Sequence, residues 1–209
     1  MSDDPRNAAR SHAARPAVFL DRDGTMIHDA NYLSRLEDVR WFPYTVDAIR
    51  LLNRAGFLVF VISNQGGVGL GMFDEAFVGT VHRAMAARLA EGSATIDGWF
   101  HCPHHPRAIL PAFRVKCDCR KPKPGMVQQA QRHFAIDLDR SFVVGDKSSD
   151  IGLARNVGAR GVLVRTGYGE SVLAHETDHG ESAAFVAANL MAAVSWILLA
   201  SGHPCVDGR

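Results

Sequence analysis

The chain has 209 residues, 47% of them hydrophobic, enough to bury a full core and, at this length, to form one domain. A formal net charge of +1 argues against a nucleic-acid protein that depends on a bulk basic surface. Residues 1–15 are polar and basic with no apolar run, so a mobile lead-in is expected there and no secretory leader.

In chain order, apolar runs alternate with helical patterns. Strands are predicted at Ala17–Leu20, Phe57–Ile62, Trp99–Cys102, Ser141–Val144 and Gly161–Val164. Helices are predicted at Thr45–Arg54, Asp74–Glu91, Gly125–Phe134, Ile151–Asn156 and Ser182–Ala200, with Asp74 as an N-cap. Gly56, Gly92 and Gly158 each follow a helical run, where a C-terminal cap favours glycine. The alternation predicts βα units and a parallel α/β sheet flanked by helices. Phe185 to Ala200 is the most apolar stretch. It is short of a bilayer span and interrupted by Asn189 and Ser195, so a packed helix is expected and no membrane. The domain is expected to run over residues 16–202, with a tail at 203–209. Residues 103–124, rich in Pro, Arg, Lys, Cys and His, form the longest irregular stretch, and such a loop needs an anchor.

Four segments carry chemistry. Val18-Phe19-Leu20 delivers Asp21 and Asp23 into the Gly24-Thr25 turn. Ligands of open α/β sheets gather at strand carboxyl ends, and two carboxylates held close there favour a bound cation. One can attack phosphorus while the other handles the leaving group's proton, the chemistry of a magnesium-dependent phosphotransferase with an aspartyl-phosphate. The second predicted strand ends in Ser63-Asn64-Gln65-Gly66-Gly67, whose hydroxyl and turn amides can hold phosphate oxygens. A dinucleotide fingerprint fails there because the third glycine is Gly71, one position early, and a phosphate-binding P-loop fails for want of Gly-Lys-Ser/Thr. Arg120-Lys121-Pro122-Lys123 puts a cationic group at the start of a helix. Val143-Val144-Gly145-Asp146-Lys147 ends another strand in an acid placed to complete a magnesium shell. Asp150 fits that shell or a brace for the following helix equally well.

Of the four cysteines, Cys102, Cys117 and Cys119 cluster and Cys205 stands apart as a bystander. Clustered cysteines in a chain without a leader point to metal rather than disulfides. Cys102-Pro-His104 and Cys117-Asp-Cys119 offer three thiolates and one imidazole, a set suited to closed structural Zn²⁺. His105 matches the spacing as well as His104. Such a metal would fix Cys119 and so preorganise Arg120 and Lys121.

Taken together and in this order, the four segments resemble the haloacid dehalogenase phosphatases over about residues 17–169. The Cys-Pro-His-His-Pro and Cys-Asp-Cys-Arg-Lys-Pro signatures resemble their zinc-containing branch. Only residues 26–62 separate Thr25 from Ser63, so no large cap domain is expected. The resemblance implies a Rossmann-like sheet with Asp21 as nucleophile and Asp23 as general acid, then base. Ser63 and Lys121 would stabilise the transferring phosphoryl group. Asp21, Asp146 and the backbone carbonyl of Asp23 would bind Mg²⁺. The branch holds heptose bisphosphate and histidinol-phosphate phosphatases. The zinc loop and Asp29-Ala30-Asn31-Tyr32 are more similar to the former, whose second phosphate would also use Arg120. Substrate contacts implied are Asp29, Ala30, Asn31, Tyr32, Ser63, Asn64, Gln65, Gly66, Arg120, Lys121 and Lys147. A non-catalytic zinc-stabilised binding module is the reading from another class, disfavoured by the retained acids. A cytoplasmic monomer acting on a small phosphorylated sugar is expected.

Overall fold

The computed structural model describes residues 14–175 and 183–202. Residues 1–13 of the lead-in, Ser182 at the head of the last predicted helix, and the 203–209 tail with Cys205 lie outside them. The described residues form one parallel sheet of β1 (Arg15–Leu20), β2 (Leu58–Asn64), β3 (Gly98–Cys102), β4 (Ile136–Gly145), β5 (Arg160–Val164) and β6 (Phe185–Ala187). The strand order is β3-β2-β1-β4-β5-β6. The helices are α1 (Thr45–Arg54), α2 (Glu75–Glu91), α3 (Gly125–Gln131), α4 (Ser148–Val157), α5 (Gly169–His175) and α6 (Leu190–Ala200).

The continuous apolar run of β1 is explained by two cores. Val18 and Leu20 pack with Ala48, Ile49 and Leu52 of α1, Val81, Met85 and Leu89 of α2, and Val194 and Ile197 of α6. Ala17 and Phe19 pack on the other face with Met126 and Val127 of α3 and Leu153 of α4. A strand covered on both faces has no polar side to alternate with. In α2, Val81, Met85 and Leu89 recur every four residues, and Asp74 accepts the Phe77 N–H at 2.7 Å as the predicted cap. Gly92 closes α2 at φ −92°, outside the left-handed region. A Cβ there would lie 2.1 Å from Val46 Cγ1, so the close approach of α1 demands the glycine.

The sequence reading and the fold part company at the C-terminal end. Phe185–Ala187 is not helical but pairs with β5, Val162 opposite Phe185. The helix starts only at Leu190, after Asn189, whose side chain accepts the Ala192 N–H at 3.0 Å. A three-residue edge strand is too short to show a period, so its apolar residues merged with the helical run. No helix among the described residues is long and apolar enough to cross a membrane.

Sheet order places the site. From β1 the chain adds β2 and β3 on one side and β4 to β6 on the other, and the crevice at such a switch point lies beyond the strand carboxyl ends.

Candidate active site

Leu20 is in register with Val61 of β2 and Val144 of β4, and the Asp21 N–H donates to the Val144 carbonyl at 2.9 Å. The three strand ends therefore converge, and carboxylate oxygens of Asp21, Asp146 and Asp150, all buried, lie within 4.8 Å of one another. Gly24 turns the chain at φ 83°, and a Cβ there would stand 2.2 Å from Asp146 Oδ2. Only glycine lets this turn close over the second acid. Thr166 Oγ1 holds the turn by donating to the Gly24 carbonyl at 2.6 Å.

Lys121 enters this acidic floor from the irregular loop. Its Nζ lies 2.8 Å from Asp21 Oδ1 and 2.7 Å from Asp150 Oδ1, and donates to the Ile62 carbonyl at 2.8 Å. Burial works against its charge, but Asp150 and Asp21 outweigh that and raise its pKa. Burial likewise pushes the Asp21 carboxyl up, and Lys121 and Lys147 more than reverse it, leaving Asp21 below its ordinary value. Asp146 is less well compensated. Its Oδ2 accepts the Tyr168 N–H at 2.8 Å, while its buried Oδ1 has no hydrogen bond and its nearest cation, Lys147, stands 3.8 Å away. Burial, then the charge of Asp21, pushes the Asp146 carboxyl up to about 8. Asp150 braces: its Oδ2 accepts the Lys147 N–H at 3.1 Å to cap α4 while Oδ1 pairs with Lys121.

Above the floor, Asp21, Ser63 and Lys121 border a small space of about 30 Å³. Beyond it opens a cleft of about 310 Å³, lined among the predicted contacts by Asp29, Asn31, Tyr32, Asn64, Gln65, Gly66, Arg120, Lys121 and Lys147, with Asp23 at its base. Ala30 is exposed on the outer side of its turn and is not among the lining residues. Lys147 Nζ reaches Asp29 Oδ2 at 3.1 Å and sits 4.8 Å from the Tyr168 ring centroid. Burial opposes the Lys147 charge, and Asp21, Asp146 and Asp29 outweigh it, so its pKa rises. Tyr168, Ser149 and His105 also line the cleft. No motif points to Tyr168 or Ser149, and the spacing offers His105 only as an alternative metal ligand. Tyr168 ties the two rims together, its hydroxyl donating to Asn31 Oδ1 at 2.7 Å.

The irregular loop has its anchor at the end of β3. Cys102 Sγ stands 3.7 Å from Cys117 Sγ and 3.1 Å from Cys119 Sγ, and His104 Nδ1 stands 3.2 Å from Cys119 Sγ. All four donor atoms lie within 4.8 Å of one another. His104 rather than His105 joins this cluster, and His105 lines the cleft with its Nδ1 accepting the Arg107 N–H at 3.1 Å. Arg120 is fastened to the same cluster, its Nη1 donating to the His104 carbonyl at 3.0 Å.

Comparison with known proteins gives the family. The chain is 46% identical over 147 residues to D-glycero-beta-D-manno-heptose-1,7-bisphosphate 7-phosphatase of Rhodopseudomonas palustris, spanning 70% of this chain and 82% of that one. The chain belongs to this phosphatase family. The Escherichia coli K12 member of the family is 43% identical over 154 residues, 73% of this chain and 80% of its own. The HAD-hydrolase-like family model matches residues 118–193. Among solved structures, D,D-heptose 1.7-bisphosphate phosphatase from B. bronchiseptica, complexed with magnesium and phosphate, superposes with a TM-score of 0.79. It is 31% identical, and the match covers 88% of this chain and 99% of that one. Membership makes this chain a phosphoric monoester hydrolase.

Proposed function

We propose that this phosphatase removes the 7-phosphate of D-glycero-D-manno-heptose 1,7-bisphosphate, leaving the 1-phosphate and inorganic phosphate. The observation that carries this reading is the adjacency of two cations with separate addresses. Lys121 faces Asp21 at the floor, while Arg120 lines the wider cleft beyond it. One serves the phosphate that leaves and the other the phosphate that stays.

Asp21, held charged by Lys121, attacks phosphorus in line, forming an aspartyl-phosphate as the bond to the sugar oxygen breaks. Asp23 gives that oxygen a proton, then takes one from the water that hydrolyses the intermediate and frees Asp21. Ser63 and Lys121 meet the charge on the phosphoryl oxygens.

Asp21, Asp146 and the backbone carbonyl of Asp23 would hold Mg²⁺. The fit rests on an all-oxygen donor set and on Asp146 Oδ1, buried without a hydrogen-bond partner. When bound, the ion neutralises charge on the transferring group. Cys102, His104, Cys117 and Cys119 would hold Zn²⁺. A tetrahedron with Zn–S near 2.3 Å has ligand-to-ligand edges of about 3.8 Å, and the sulfur pairs from Cys102 lie at 3.1 and 3.7 Å. As part of the same proposal, the enzyme acts as a cytoplasmic monomer, where thiolate ligands stay reduced.

Phosphate release with Mg²⁺ from both anomers of the heptose bisphosphate and from histidinol phosphate tests the substrate. Preference for either heptose anomer is the expected result, and preference for histidinol phosphate overturns it. Asp21→Asn should abolish turnover while keeping the fold. Retained turnover removes the nucleophile.

A further inference from the structure

Behind Asp23 lies a closed set of polar contacts that the phosphatase reading does not use. Arg22 is 1% exposed. Its Nε and Nη2 both donate to the Asp23 carboxylate, at 2.9 to 3.2 Å, and Nη2 also donates to Gln65 Oε1 at 3.0 Å. Gln65 Nε2 donates to Asp23 Oδ2 at 2.9 Å and to Ser63 Oγ at 2.5 Å. Gln65 is buried as well.

The polarity of this set is determined by its donors. A side-chain amide has the same shape either way round, and its partners decide which end is oxygen. Arg22 offers only donors, so the Gln65 oxygen must face it. The amide nitrogen then faces Asp23 and Ser63, giving one hydrogen to each. Ser63 Oγ therefore accepts from Gln65, and its own hydrogen is left for the space it borders with Asp21 and Lys121. Both amide hydrogens of Gln65 are spent on protein groups, which leaves it little to offer a sugar.

We propose that Gln65, oriented by Arg22, is a positioning residue that holds the Asp23 carboxylate in place and makes Ser63 a hydrogen-bond donor to the transferring phosphoryl group. Two motifs far apart in sequence, Asp21 to Thr25 and Ser63 to Gly67, are thereby set to one geometry. The inference rests on the phosphatase reading and adds to it a residue that acts through two others.

Gln65→Met keeps length and bulk and removes the hydrogen bonds that Gln65 makes with Arg22, Asp23 and Ser63, while those between Arg22 and Asp23 remain. Expected for the variant is a native melting temperature, little change in KM, and kcat for the heptose bisphosphate lower by about tenfold or more, the loss of one hydrogen bond to a charged group. In a Ser63→Ala background the same substitution should cost a smaller factor, because part of its route is already gone. Native kcat in Gln65→Met, or an equal loss in both backgrounds, overturns the proposal. Should Gln65→Met fail to fold, Gln65→Asn, which keeps the amide but shortens its reach, carries the same comparison. Inactivity of the unmutated enzyme removes the phosphatase reading and this one with it. An active enzyme with unaffected Gln65→Met overturns this inference alone.

Discussion

The side chain of Asn64 pairs with the backbone of Lys121 in both directions. Its Oδ1 accepts the Lys121 N–H at 3.0 Å, and its Nδ2 donates to the Lys121 carbonyl at 3.2 Å. The last residue of β2 thus holds a loop residue distant in sequence as a neighbouring strand would. This sets the Nζ of Lys121 between Asp21 and Asp150. Asn64→Leu leaves a backbone donor and acceptor without partners. Its expected kcat is lower by about ten- to a hundredfold, with a loss of about 1–3 kcal/mol in stability. Steady-state kinetics and urea unfolding check both.

Asp150 and Lys147 both sit beside the acidic floor, yet their removal should differ. Asp150 is fully buried, pairs with Lys121 and caps α4, so Asp150→Ala takes one of two carboxylates from the buried ammonium, leaving Asp21, and uncaps the helix end. A loss of about 1–3 kcal/mol in unfolding free energy is expected. The Lys147 side chain is 37% exposed, and water can replace its partners. Lys147→Met should cost under about 1 kcal/mol of stability while raising KM. Denaturation of the two variants side by side separates the roles.

His82 supplies a pH dependence that is independent of the metal ligands. It lies buried on α2 with its ring 4.9 Å from Trp99 and 5.9 Å from His101, and its Nε2 has no hydrogen-bond partner. Burial, then the charge of Arg22, lowers its pKa from 6.5 to about 3. The unfolded chain therefore binds a proton that the folded one refuses. This contribution to stability is whole above pH 6.5 and is lost as pH falls toward 3. His82→Phe fills the same slot and does not titrate. Between pH 7 and 5 the native protein should lose about 2 kcal/mol more than His82→Phe, at about 1.4 kcal/mol per unit below 6.5. Parallel unfolding curves at the two pH values would exclude this account.

Legibility of the sequence followed the physics of each element. β1 could be read because burial on both faces leaves an unbroken apolar run, and the acids at its end and at the end of β4 because a sheet gathers its strand ends. The cysteine cluster was visible as spacing. His104 and His105 could be separated only by where each ring turns, which spacing does not encode. β6 was hidden by its length of three residues, although Asn189, a ready N-cap, stood in the sequence to mark the later helix start. Tyr168 was invisible for a different reason. It reaches Asn31 across a long stretch of chain, and no local pattern predicts such a contact. Arg22 and Gln65 both lie inside motifs, Gln65 as an expected substrate contact, but only three-dimensional partners reveal which end of an amide faces which group.

In the proposed function, the Cys102, His104, Cys117 and Cys119 cluster and the choice of substrate are joined through Arg120. Its guanidinium is fastened to the His104 carbonyl, and the next residue, Lys121, is fastened to Asn64. Loosening the cluster should therefore release Arg120 before it disturbs Lys121, which keeps its own anchor on β2. Cys119→Ser replaces a thiolate with a weak ligand, and zinc content by elemental analysis should fall below one per chain. The melting temperature should fall as well, since metal binding to such a cluster contributes folding free energy. Kinetically, KM for the heptose bisphosphate should rise by more than kcat falls, because Arg120, the group proposed to grip the remaining phosphate, has lost its tether. Treating the native enzyme with a chelator strong enough to strip zinc, then restoring Mg²⁺ alone, should reproduce that split. Unchanged melting and unchanged KM after zinc is removed would show that the loop holds its shape without the metal.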